Sequence, residues 1–267
     1  MGLIDNNEII YKSSKSFFWA SKFLSEEILQ KVINIYSFCR IHDDLVDENI
    51  EATDKKEIEQ LEQKIKSYGI SGDVISELIK GINSDINFQR YKNNAALIKY
   101  CYRVAGIVGL MMIKALKIKD IEASYYAIDL GIAMQLTNIS RDVLEDSKNN
   151  RFYIEGNFEK ISSTINLANR YYQDSFYAIK SIPISFRFSI LVARRVYRKI
   201  GFKILKKKTL ENYQRSGKIY VSNIEKVLET FLSIFDLISL FLINKNEDQI
   251  QHDHILINEE INLNERI

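Results

Sequence analysis

The chain contains very few residues that interrupt a helix. Pro183 is its only proline, and it has ten glycines among 267 residues. A β-sandwich or β-barrel needs turn residues at intervals of roughly 8 to 12 residues, since each short strand ends in a turn. Long helices joined by few turns are therefore expected, and the sequence predicts an all-α fold.

Length and composition restrict the class of protein further. A chain of 267 residues fits one large domain, and no linker-like segment divides it. We therefore predict a single domain over residues 1–267, with a polar C-terminal tail from about residue 245. Hydrophobic residues make up 46% of the chain and charged residues 27%, which excludes a disordered chain and an integral membrane protein by composition.

The net charge, the cysteines and the N-terminal residues exclude other classes. The 37 basic and 35 acidic residues leave a net charge of +2, so no nucleic-acid partner is expected. Cys39 and Cys101 lie in apolar helical sequence and predict neither a disulfide framework nor a zinc site. The chain does not begin with a basic segment followed by an apolar run, so we expect a cytoplasmic protein.

Apolar residues recur at helical spacing in several long segments. A helix starts near Ser25-Glu26-Glu27 and runs into Asp43, and another runs from 121 to 146 and ends near Asn149-Asn150. The segment 95–115 is almost wholly apolar, which predicts a helix buried on most sides. Its small residues leave room beside it, which either a neighbouring helix or a long apolar ligand would fill.

A further apolar segment extends from Ile224 to Ile243. Its length raises the possibility of a transmembrane helix, but Glu225, Glu229 and Asp236 interrupt it. We therefore expect a buried or membrane-grazing amphipathic helix, and peripheral membrane contact through this helix or through the mouth of an apolar cavity.

Two clusters of oxygen-bearing side chains repeat at four-residue intervals within helical sequence. Asp43 and Asp47 form the first cluster, and Asn138, Asp142 and Asp146 form the second. Residues four apart project from one face of a helix, so each cluster forms a wall of oxygen ligands. Crowded carboxylates without histidine or cysteine favour Mg²⁺, with Mn²⁺ as an alternative, and two such walls suit the binding of a diphosphate through metal ions.

These motifs occur in the order typical of a known enzyme family. The matching segments are Ser14-Lys15-Ser16-Phe17, residues 36–47 (YSFCRIHDDLVD), residues 100–109 (YCYRVAGIVG) and residues 135–153 (QLTNISRDVLEDSKNNRFY). From Ser13 to about Lys218, the chain resembles the squalene and phytoene synthase family. The resemblance implies an all-α isoprenoid synthase bundle around a central apolar cavity, in which two prenyl diphosphates are joined at their C1 ends with Mg²⁺.

The resemblance also implies roles for individual residues. Asp43 and Asp47 would bind Mg²⁺ from one wall, and Asn138, Asp142 and Asp146 from the other; the four aspartates would be catalytic, together with Tyr100 near the reacting carbons. The substrate-binding residues would be Ser14, Ser16, Tyr36, Arg40, Gln135, Arg141, Arg151, Tyr153, Tyr197 and Lys218. For Arg40 and Arg141 the alternative is an ordinary i,i+4 ion pair within the helix. For Asp44 it is an ion pair with Arg40 or another neighbour. Arg215 competes with Lys218 for its role.

The sequence around Pro183 and residues 193–201 (ARRVYRKIG) resembles bacterial phytoene synthases more than squalene synthases. We therefore expect two geranylgeranyl diphosphates to form phytoene through prephytoene diphosphate, in carotenoid biosynthesis and without NADPH. The alternative is a squalene or dehydrosqualene synthase that uses two farnesyl diphosphates. Outside this reaction class, the further alternatives are a class I terpene cyclase and a non-catalytic assembly factor of the same fold. The oligomeric state stays open.

Overall fold

The computed structural model describes residues 15–47, 55–86 and 88–242. In these ranges the chain forms helices and no strand, so the prediction of an all-α fold is confirmed. The helices are α1 (Lys15–Ser21), α2 (Glu26–Asp47), α3 (Lys55–Lys66), α4 (Gly72–Asn83), α5 (Asn94–Cys101), α6 (Ile107–Ala115), α7 (Ile121–Lys148), α8 (Phe158–Ala178), α9 (Ile184–Leu205), α10 (Leu210–Arg215) and α11 (Asn223–Leu242). The predicted polar tail lies outside the described residues.

The bounds of α7 follow from local capping. At its start, the Asp120 side chain accepts hydrogen bonds from the amides of Glu122 and Ala123. At its end, Asn150 takes a left-handed conformation with φ 57°, and the amide of Arg151 donates to the carbonyl of Asp146 at 3.0 Å. This is a Schellman-type helix end, for which asparagine is one of the favoured residues. The predicted end at Asn149-Asn150 is therefore confirmed.

The apolar segment 94–115 forms α5 and α6, joined by a π-helical turn at Tyr102–Gly106 that the sequence did not predict. By length and apolar composition alone, Asn94–Ala115 is the one helical segment among the described residues that is suited to crossing a membrane. It lies in the core, where Leu110 and Met111 are fully buried. A core helix of a soluble fold passes the same test of composition.

The small residues of this segment bring it into backbone contact with α7. A Cβ atom at Gly109 would lie 2.1 Å from the carbonyl oxygen of Ala127, and one at Gly131 would lie 2.3 Å from that of Ala105. Only a residue without a side chain permits such an approach. Helix α7 therefore fills part of the room beside the segment. A neighbouring helix was one of the two predicted occupants of this room, and a long apolar ligand was the other.

Helix α11 is joined to α9 by ion pairs. Glu225 binds Lys203 at 2.7 Å, and Asp236 binds Arg195 at 2.6 Å. Glu229 is buried and also lies within ion-pair distance of Arg195, at 3.3 Å. The acidic residues that interrupt this apolar segment therefore face the protein interior.

Candidate active site

A cavity of about 770 Å³ lies among α1, α2, α6, α7 and α9. Eight of the predicted site residues line it: Ser16, Tyr36, Asp43, Gln135, Asn138, Arg141, Tyr197 and Lys218. The rest of its wall is largely apolar and includes Val108, Met112, Leu130, Met134, Ile179 and Ile190. The structure thus combines a polar wall for an anionic group with an apolar wall for a hydrocarbon chain.

The first wall is the face of α2 that carries Tyr36 and Asp43. The ring of Phe17 on α1 stacks on Tyr36, with 5.6 Å between centroids, and this contact helps to hold Ser16 beside the cavity. Asp47 is the last residue of α2, and its side chain lies outside the described part of the protein, as does Ser14. Their predicted roles stay predictions.

Arg40 and Asp44 form an ion pair across one turn of α2. This is the alternative that the sequence left open for both residues. Neither residue lines the cavity. The role of Arg40 in substrate binding stays a prediction.

The second wall is the face of α7 that carries Gln135, Asn138 and Arg141. The Arg141 guanidinium binds both carboxylate oxygens of the adjacent Asp142, with Nε 2.8 Å from Oδ1 and Nη2 2.5 Å from Oδ2. Arg141 thus pairs with its neighbour and not with a residue four positions away. The Oδ1 atom of Asn138 is buried and accepts no hydrogen bond from the described residues, while its Nδ2 atom donates weakly to Gln135 at 3.4 Å.

The carboxylate of Asp146, beside this wall, is costly in its charged form. Burial, and then the nearby Asp142 carboxylate, raises the pKa of Asp146 from 3.8 to about 7. The charge of Arg151 opposes this shift, which places that predicted residue near Asp146. A cation close to Asp146 would favour its ionised form and so lower its pKa.

The oxygen ligands of the two walls fit Mg²⁺ in chemical type. They comprise carboxylates and the amide oxygen of Asn138, a buried acceptor with no donor in the part of the chain that is described. Within residues 15–47, 55–86 and 88–242, no three histidine, cysteine, aspartate or glutamate side chains lie together as a ready-made metal site. Asp142 is instead neutralised by Arg141.

Lys218 is placed at the cavity by the turn after α10, where Gly217 has a positive φ of 60°. Its ammonium group donates to Glu145 at 2.6 Å and lies 3.7 Å from Oδ1 of Asp142. Arg215 instead pairs with Glu211, and its side chain is 75% exposed. Of the two candidates, Lys218 is therefore the one that lines the cavity.

Tyr100 and Tyr153 form an aromatic cluster outside the cavity lining. Their rings stack with 5.1 Å between centroids, and Phe88 and Tyr91 pack against them. The hydroxyl of Tyr100 donates to Asp85 at 2.7 Å. The predicted position of Tyr100 near reacting carbons stays a prediction, since the ring does not line the cavity.

Sequence reasoning missed two acidic residues of this region. Asp85 lies in the turn after α4 and contacts Tyr100, and Glu145 on α7 holds Lys218. Glu145 directly precedes Asp146 of the second cluster, and this position in the sequence could have identified it. Asp85 belongs to no spaced motif, so no signal in the sequence connected it with the site.

Known proteins are similar to this chain in sequence and in fold. The sequence profile described as "Squalene/phytoene synthase" matches residues 10–69 and 58–155. The 15-cis-phytoene synthase of Enterobacter agglomerans is 28% identical, over 72% of this chain and 82% of that protein. The 4,4'-diapophytoene synthase of Staphylococcus haemolyticus is 32% identical over 55% of this chain and 60% of its own length.

Comparison with solved structures gives the same result. The crystal structure of a dehydrosqualene synthase in complex with a ligand matches with a TM-score of 0.72 and 26% identity, over 88% of this chain and 95% of that one. Profile, relatives and fold therefore agree. The chain is a prenyltransferase that belongs to the squalene/phytoene synthase family and is similar to bacterial phytoene synthases.

Proposed function

We propose that this chain catalyses the Mg²⁺-dependent head-to-head condensation of two geranylgeranyl diphosphates to phytoene, through prephytoene diphosphate and with release of diphosphate. The observation that carries the proposal is the single cavity that joins Asp43 of one wall and Asn138 and Arg141 of the other to a long apolar lining. The phytoene synthases among the relatives support the choice of this reaction within the family.

The side chains of the cavity have separate tasks in this reaction. Arg141, Lys218 and the hydroxyl of Tyr197 would donate to diphosphate oxygens, since guanidinium, ammonium and hydroxyl groups all bind phosphate. Mg²⁺ held by Asp43, Asn138 and the neighbouring carboxylates would neutralise the leaving diphosphate as the allylic C1–O bond breaks. The apolar lining would exclude water from the carbocation, which otherwise reacts with it.

A second candidate is the same condensation with two farnesyl diphosphates, giving a C30 product. Two comparisons favour it: the structural match to a dehydrosqualene synthase and the 32% identity to a 4,4'-diapophytoene synthase. Both reactions use the same polar wall, and they differ in the length of hydrocarbon that the apolar wall must enclose.

Product analysis separates these candidates. The purified chain is incubated with Mg²⁺ and either the C15 or the C20 diphosphate, with and without NADPH, and the hydrocarbons are identified by mass spectrometry. We expect a C40 hydrocarbon from the C20 substrate without NADPH. A C30 hydrocarbon from the C15 substrate alone would establish the second candidate, and a cyclised product of one diphosphate would indicate a terpene cyclase. The absence of product from either substrate would contradict the proposal.

A further inference from the structure

Helix α11 has the reverse polarity of an ordinary surface helix. Its acidic residues Glu225, Glu229 and Asp236 point inward to α9, and its exposed side is apolar. A surface helix normally buries its apolar stripe and exposes its charges. The central stripe of the exposed side, here named the outer face of α11, consists of Ile224, Leu228, Phe231, Phe235, Ile238 and Leu242.

The outer face of α11 is a continuous apolar surface. Its six side chains are each 50% to 83% exposed and follow the whole helix of 20 residues, which at 1.5 Å per residue is about 30 Å long. Contiguous exposed apolar surface on this scale marks a site of contact with a membrane or another protein. The charges around it decide between the two.

One border of the outer face is basic. The ammonium group of Lys22, an exposed residue, lies over the ring of Trp19 at 5.2 Å, and the buried Lys226 supplies a second cation 5.9 Å from the same ring. Near the other end of the helix, the Arg187 guanidinium lies 5.8 Å from the ring of Phe241. In the part of the chain that the structure describes, neither Lys22 nor Arg187 forms an ion pair with a carboxylate.

The opposite border is also basic. A cavity of about 400 Å³ lies between α8, α9 and α11, and Leu232 lines it from the side of α11. Four cations face the carboxylates of Glu229 and Asp236 around it: Arg195, Arg198 and Lys199, and the buried Arg194. Positive charge is therefore in excess on this border as well.

We propose that the outer face of α11 docks on a lipid bilayer that carries anionic lipids. The apolar side chains would insert below the headgroups, and the two basic borders would contact the lipid phosphates. A second copy of the chain fits less well, because a two-fold contact would bring the basic borders of the copies together with no carboxylate among the six side chains to neutralise them.

This inference stands on the surface of α11 and holds whether or not the proposed reaction is correct. The two are related in position, since the cavity of the candidate active site is lined by Tyr220 and Val221, just before α11, and by Lys226 within it. A bilayer held there would lie beside the cavity that, under the proposed function, takes in and releases prenyl chains.

Sedimentation with vesicles tests the proposal on the purified full-length chain. We expect binding to vesicles of phosphatidylcholine with phosphatidylglycerol, and weaker binding to phosphatidylcholine alone or at high salt. The double variant Phe231→Ser/Phe235→Ser should bind these vesicles with an affinity lower by about tenfold or more. The matched control Ile121→Ser, at a residue 58% exposed on α7, should change nothing.

A charge variant tests the basic border. Lys22→Gln should lower binding to the phosphatidylglycerol vesicles by about fivefold and leave binding to phosphatidylcholine alone unchanged. Circular dichroism verifies that each variant keeps its helices. Turnover in detergent is measured separately, so that loss of docking and failure of the proposed reaction give different results.

Three outcomes would overturn the proposal. The first is a double variant that binds vesicles as well as the parent does. The second is a parent protein that does not bind vesicles but forms a dimer, while the double variant is a monomer. The outer face of α11 would then be a subunit interface. The third is binding that appears only after removal of residues 243–267, since that segment would then be the occupant of the face.

Discussion

The hydroxyl of Tyr100 donates a hydrogen bond to Oδ2 of Asp85 at 2.7 Å, across a bend of the chain that separates α4 from α5. The same hydroxyl lies 3.2 Å from that of Tyr153, which follows α7. Burial, and then the Asp85 carboxylate, raises the pKa of Tyr100 well above its usual value, so the phenol stays protonated and donates. One aspartate thereby joins three segments beside the second wall.

Replacement of Tyr100 by phenylalanine should therefore weaken the fold. The variant removes a donor from a carboxylate in a partly buried site, and we expect the free energy of unfolding to fall by about 1–3 kcal/mol. Urea denaturation followed by circular dichroism measures this. The control is Tyr220→Phe. Tyr220 is 71% exposed, so removal of its hydroxyl should change the free energy of unfolding little. Equal stability of the two variants would contradict a structural role for the bond.

Removal of the metal should stop turnover and leave the helices intact. We expect chelation of divalent ions to abolish product formation and Mg²⁺ to restore it. Asp43→Asn should lower turnover by about a hundredfold or more, since a carboxylate that lines the cavity is lost. Asp73→Asn, at an exposed position of α4, is the matched control. Full activity of the Asp43 variant would exclude that wall from metal binding.

Lys218 and Arg215 should behave differently when each is changed to glutamine. Lys218 lines the cavity, and its loss removes a cation from the diphosphate, so kcat/KM should fall by about tenfold or more. Arg215 pairs with Glu211 at the surface, and its replacement should leave kcat/KM within about twofold. Steady-state kinetics with varied diphosphate measures both. The reverse order of effects would assign the phosphate-binding role to Arg215.

Gly109 should not accept even one added carbon. Its Cβ would meet the carbonyl of Ala127 at 2.1 Å, so Gly109→Ala must push α6 away from α7 and should destabilise the protein by about 2–3 kcal/mol. Gly72→Ala is the matched control, because no atom lies within 4 Å of its Cβ position. That variant should be neutral or up to about 1 kcal/mol more stable. Thermal and urea unfolding compare the two.

Glu225 should make stability depend on pH in the acid range. Burial alone would raise its pKa, but hydrogen bonds from Lys203 and Ser222 outweigh burial and lower the pKa from 4.5 to about 2. A depressed folded pKa stabilises the protein above pH 4.5, and this contribution is lost as the pH falls from there toward 2.

Glu225→Gln should therefore cost about 1 kcal/mol at neutral pH, and the difference from the parent should shrink as the pH falls below about 4.5. Urea titrations from neutral pH down to the onset of acid unfolding measure it. Glu211→Gln, in an exposed pair, serves as the control. A difference that stays constant over this range would show that the carboxylate charge of Glu225 does not stabilise the fold.

Much of the site could be predicted because its signals are local. Asp43, Asn138 and Arg141 lie at helical spacing in long helices, and helical geometry alone directs them to one face of each helix. The pairing of Arg141 with Asp142 was not predictable, because a long guanidinium side chain reaches several acids and the packing around it selects one. The choice of Lys218 over Arg215 likewise depends on the turn at Gly217.

The sequence by itself determined the helical class, the start of α2, the bounds of α7 and the oxygen-bearing side chains on each of these helices, since these depend on spacing and caps within a few residues. Only the tertiary structure decided that Asp85 meets Tyr100, because no local rule relates a residue in a turn to one on the next helix. It also decided which side of α11 faces inward. The acidic residues of that helix turn inward because cations on α9 offer partners there, and the apolar side is left outside.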